Sequence, residues 1–136
     1  YLQLQKSVPK LLEVLHADFC FSLKGDKIDG KEFTTKPIFF KSGEKDGFDT
    51  IGVQYLRHYI HQGHELAKKP LTDIQLKALD AFDRELLHPD NLLVSDYIKG
   101  GIYFLNNYHT IHGRSSFEDY PGDVKRELLR VWTGPF

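Results

Sequence analysis

The sequence predicts an α+β protein, mainly β, arranged as a β-sandwich or jelly roll with helices packed against it. Three observations carry that reading. Two apolar runs, 92–98 and 102–107, flank the tight turn Lys99-Gly100-Gly101 and read as a β-hairpin. A further run, Arg126 to Trp132, reads as the last strand, so strands dominate the second half. Helical patterns cluster between the strands. Because the strands come as hairpins, a doubly wound parallel sheet is disfavoured.

In chain order, Tyr1 to Leu15 is helical by pattern, with Pro9 placed to start a second helical turn after Ser7-Val8. Phe19, Phe21 and Leu23 alternate with Cys20 and Ser22, so residues 18–23 read as a strand. Gly25-Asp26, Asp29-Gly30, Ser42-Gly43 and Asp46-Gly47 are turn signals, and 36–40 between them is a short strand near an edge, given Pro37. Residues 55–67 read as a helix weakened by Gly63, or as a strand followed by a turn. The clearest helix is Leu71 to Leu87. Thr72 and Gln75 fit a capping box, and Leu71, Ile74, Ala78, Ala81 and Phe82 share a stripe. His88-Pro89-Asp90-Asn91 ends it.

At 136 residues the chain is one domain's worth, with 40% hydrophobic and 27% charged residues, the balance of a soluble globular protein. A net charge of −1 gives no electrostatic reason to expect nucleic acid or a membrane surface as partner. The lone Cys20 excludes an intrachain disulfide and suits a reducing compartment, read here as cytoplasmic. No apolar run reaches membrane-spanning length. The sequence starts at Tyr1 and holds no methionine, so it reads as an internal fragment or as a sequence with its methionines lost.

The chemistry-bearing stretch is 101–132. It presents Asn106, Asn107, Tyr108 and Thr110 ahead of His112-Gly113-Arg114, and ends in a run carrying Arg126 and Arg130. On a strand, Arg126, Leu128, Arg130 and Trp132 share one face, while Leu129 and Val131 suit the buried side. The two arginine α-carbons then lie roughly 13 Å apart, close enough to grip different parts of bound anions. Arginine suits carboxylate because its planar fork makes two parallel charge-assisted bonds. From spacing alone, the bland reading is the favoured one: surface arginines paired with Glu127 or Asp123, and His112 a satisfied structural histidine. Spacing does not decide between them.

A resemblance does. Gly101-Ile102-Tyr103-Phe104-Leu105-Asn106-Asn107, then Thr110-Ile111-His112-Gly113-Arg114, then Arg126 and Arg130 before Val131-Trp132, resembles the C-terminal signature of Fe(II)/2-oxoglutarate dioxygenases of the taurine dioxygenase and clavaminate synthase type. In the clavaminate synthase branch an arginine follows the distal iron-binding histidine by fourteen residues, with another four further on. Arg126 and Arg130 stand at those intervals from His112. The segment Pro9 to Leu15 followed by Phe19 and Phe21 is similar to the stretch these proteins carry after their proximal metal motif, and 71–87 sits where they place a helix. The resemblance thus implies that residues 1–136 are a single domain, the C-terminal part of a dioxygenase catalytic domain with the double-stranded β-helix (jelly-roll) fold. It implies Fe(II) held by two histidines and a carboxylate, with 2-oxoglutarate as co-substrate. His112 would be the distal metal ligand, Arg126 would grip the far carboxylate of 2-oxoglutarate, and Arg130 would face a small-molecule substrate through its carboxylate. All three side chains should then point into one cavity.

One part of the pattern is not met. The family carries a proximal His-x-Asp or His-x-Glu, and the match nearest the start of the chain is His16-Ala17-Asp18. Leu11 to Phe21 already matches the family's stretch beyond that motif. His16 and Asp18 are therefore expected to be a helix-end pair remote from His112, with the true proximal ligands upstream of Tyr1. His58, His61 and His64 are spaced like ligands, yet lack the zinc-peptidase pattern and a third-ligand context, and read as histidines of an exposed or amphipathic segment. Arg114 is expected to pair with Glu118 or Asp119. A reading from another class also stands: a jelly-roll binding or scaffolding module that kept the fold and lost the iron.

Overall fold

The computed structural model describes residues 1–114, 116, 122 and 127–131. The chain opens with two short helices, α1 (Leu2–Ser7) and α2 (Pro9–Leu15). Val8, at φ −143°, breaks them apart, and Pro9 takes the first position of α2, where its missing N–H costs nothing. Next come β1 (Asp18–Ser22) and β2 (Phe33–Pro37), an antiparallel pair with Cys20 opposite Thr35. A second antiparallel pair is formed by β3 (Phe39–Lys45) and β4 (Phe48–Val53). They are joined at Asp46 and Gly47, both at positive φ (54° and 78°), the conformation that a two-residue hairpin turn requires. Helices α3 (Arg57–Leu66) and α4 (Asp73–Leu86) complete the body, and a 3-10 turn (Pro89–Asn91) ends it.

Helix α4 starts as its sequence demands. Gln75 N–H donates to Thr72 Oγ1 (3.3 Å), and Thr72 N–H donates to Gln75 Oε1 (3.0 Å). Its buried face is Ala78, Leu79, Ala81 and Phe82. The expected stripe is therefore shifted: Ile74 lies outside the core, half exposed at 51%, and Leu79 is fully buried. The core gathers Leu4, Leu15, Phe19, Ile38, Ile60 and Leu79 at its centre. Phe82 is its aromatic junction, 5.0 Å from the Phe39 ring and 4.8 Å from the Tyr55 ring between centroids.

Helix α3 lies directly on the backbone of β1, and Gly63 makes this possible. A Cβ at Gly63 would stand 2.4 Å from the Cys20 carbonyl oxygen and 2.7 Å from the Phe21 carbonyl carbon. The glycine that weakens the helix in sequence terms is thus the residue that seats it. Gly63→Ala is expected to destabilise the fold by about 1–3 kcal/mol, because backbone cannot yield as a side chain can. That loss outweighs the roughly 1 kcal/mol of helix propensity gained. Denaturant unfolding checks it, and a stabilised variant would mean that α3 is not seated on β1.

Other expectations need correction. The strands of the described residues lie at 18–53, not in the second half. Residues 92–98 and 102–107 do turn at Lys99-Gly100, with Gly101 N–H on Ile98 C=O (3.0 Å) and Tyr103 Oη on Asp96 C=O (2.7 Å), yet they form no ladder. These apolar runs find no layer among the described residues to pack against: Leu93 is 97% and Phe104 93% exposed. Residues 127–131 are likewise not a strand, and Leu129 and Val131, expected on a buried side, are exposed. Ser42-Gly43 is not a turn but the point inside β3 where the register with β4 shifts. The architecture is α+β with short antiparallel strands, compatible with part of a jelly roll and without a closed barrel among the described residues. No helix among them is long and apolar enough to cross a membrane.

Candidate active site

The residues singled out by the sequence begin at a turn that Asn106 organises. Its carbonyl accepts from His109 N–H (3.0 Å), Thr110 N–H (2.9 Å) and Thr110 Oγ1 (2.8 Å). Its side-chain Oδ1 accepts from Tyr108 N–H at 3.0 Å, the local bond through which asparagine favours turns. The turn rests on the β3–β4 hairpin: Val53 N–H donates to Tyr108 C=O (2.8 Å), and the Tyr108 ring meets Phe40 edge-on at 6.2 Å. Asn107 Oδ1 is buried with no hydrogen-bond partner among the described residues.

His112 lies two residues after Thr110 and is exposed. Arg130 is exposed as well, and Arg126 lies outside the described residues, as do Glu118 and Asp119, the expected partners of Arg114. The roles given to these side chains therefore rest on the family signature.

The decoy histidines are engaged elsewhere. His16 is exposed at the end of α2, with Nε2 3.1 Å from Tyr1 Oη, and Asp18 begins β1. On α3, His61 Nε2 accepts from Arg57 Nε at 3.4 Å. His64 departs from the exposed reading: it is buried, its Nε2 accepting from Cys20 N–H (3.2 Å) and its Nδ1–H donating to Lys69 C=O (2.7 Å). Those bonds fix its tautomer and use both nitrogens. An open depression of about 480 Å³ beside it, lined by His61, Glu65, Lys68 and Lys69 among others, therefore gains no ligand from His64.

Sequence reasoning missed one polar cluster. Arg57 pairs with Asp80 (2.7 Å) and Asp83 (2.5 Å), and Asp83 also accepts from Tyr55 Oη (2.5 Å). Burial, then the Asp83 bond, pushes the Tyr55 phenol far above its ordinary pKa, so it stays a donor. Burial pulls Arg57 down, but Asp83 and Asp80 outweigh it and hold the guanidinium charged. Its signal was Asp80 and Asp83, three apart on one face of α4. The cluster braces α3 against α4.

A two-histidine, one-carboxylate iron centre needs three donors on one face. Among the described residues no three His, Cys, Asp or Glu side chains come together in that way. By themselves, then, they do not make an iron site. The comparison with known families is nonetheless decisive for kinship: residues 1–132 match the family described as Taurine catabolism dioxygenase TauD, TfdA family. The chain belongs to that family. No curated protein matches it. Members of the TauD, TfdA family are typically dependent on Fe(II) and 2-oxoglutarate. The match spans His112, Arg126 and Arg130, and so agrees with the resemblance read from the sequence.

Proposed function

We propose that this chain is the part of an Fe(II)/2-oxoglutarate-dependent oxygenase that carries the distal histidine and the two arginines. The reaction oxidises an unactivated C–H bond of a small molecule, most simply by hydroxylation. Dioxygen gives one oxygen atom to the substrate and the other to succinate, as 2-oxoglutarate loses CO2. The observation that carries this reading is the family match running through the whole histidine–arginine signature. His112 takes one ligand place, and the second imidazole and the carboxylate come from residues other than those described. Arg126 binds the far carboxylate of 2-oxoglutarate through its planar fork. Arg130 takes a carboxylate on the substrate.

The test uses the full-length protein with Fe(II), oxygen and 2-oxoglutarate. Succinate and CO2 are expected in equal amounts, and a chelator should stop both. A protein that binds 2-oxoglutarate or small carboxylates but never converts them would favour the non-catalytic jelly-roll module instead.

A further inference from the structure

The turn at 106–110 ties the later part of the chain to the folded body. Ile51 and Val53, two apart on β4, present backbone groups to the same edge, and the turn occupies it. Val53 N–H bonds to Tyr108 C=O at 2.8 Å, and Ile51 C=O accepts from His109 Nδ1–H at 3.0 Å. The second bond joins a side chain to backbone across 58 positions of sequence. It also fixes the imidazole with hydrogen on Nδ1. Before the turn, Leu93, Val94, Ile98, Ile102 and Phe104 are exposed and provide no comparable anchor.

We propose that His109 is a positioning residue: its bond to Ile51 sets where the chain leaves the β3–β4 hairpin, and so where His112 is presented. His112 is three residues on, a span of at most roughly 10 Å, so a change of angle at the turn shifts it appreciably. A displacement of about 1 Å at a reacting centre can cost about a hundredfold in rate. The functional half of this inference rests on the oxygenase reading; the attachment itself rests on the hydrogen bonds alone.

The experiment compares His109→Phe, which keeps a ring but loses the donor, with His109→Asn, whose amide N–H stands close to the place of Nδ1. In the full-length protein, His109→Phe should speed hydrogen exchange of the Val53 amide by about tenfold or more. It should lower kcat about tenfold, leaving the KM for 2-oxoglutarate within about twofold. His109→Asn should restore both. Unchanged Val53 exchange in His109→Phe overturns the attachment. Faster exchange with kcat intact, or failure of His109→Asn to restore kcat, overturns the positioning role. A wild-type protein that consumes no 2-oxoglutarate overturns the oxygenase reading, while Val53 exchange still decides the attachment.

Discussion

His112→Ala is expected to abolish 2-oxoglutarate turnover in the full-length protein, by about a hundredfold or more. Changing a residue that merely supports a metal ligand costs about 10–100-fold, and a ligand should count for more. Two remaining donors hold Fe(II) weakly and leave its geometry undefined. Iron affinity and turnover should therefore fall together while stability to denaturant is kept, because His112 is exposed and outside the packed core. The control is His16→Ala. That residue is exposed and bonds to Tyr1, so its loss should leave iron affinity within about twofold. Should His16→Ala remove the iron and His112→Ala keep it, the distal assignment fails, and His16-Ala17-Asp18 becomes the metal motif.

How far the sequence could be read depended on whether the information was local. The Thr72–Gln75 capping box, the Asp46-Gly47 turn and the 18–22 strand were legible because each is set by residues close in sequence. The second-half strands were not. Apolar alternation shows that a segment can bury one face, but a strand also needs a neighbour, and 92–107 has none among the described residues. His64 shows the same limit in a side chain. Its spacing from His58 and His61 looks like metal chemistry, whereas its role is set by Cys20, 44 positions earlier. Gly63 was read as a weak point for want of the same long-range fact, the Cys20 carbonyl beneath it. For the site, periodicity and spacing left His112 and the arginines undecided between surface and function. Only the ordered signature of 101–132, through the family it resembles, favours function, and the family match bears out that kinship.

Arg126→Ala should leave iron in place and raise the apparent KM for 2-oxoglutarate by about 10–100-fold. The guanidinium fork would make charge-assisted bonds to the far carboxylate, each contributing roughly 1.5–3 kcal/mol. About 1.4 kcal/mol corresponds to a tenfold change in affinity, and the two bonds of one fork are not fully additive. The loss should appear in KM more than in kcat, because this carboxylate lies at the end of 2-oxoglutarate that does not react. A contact made equally in ground and transition states has that signature. Arg126→Lys keeps the charge without the fork and should fall between the two. Arg130→Ala is the matched comparison: it should weaken the primary substrate and let succinate form without substrate oxidation. Iron binding, 2-oxoglutarate consumption and substrate oxidation, measured separately, distinguish these effects. An Arg126→Ala protein with unchanged 2-oxoglutarate dependence would place the co-substrate's carboxylate on another residue, and a raised 2-oxoglutarate KM in Arg130→Ala instead would exchange the two roles.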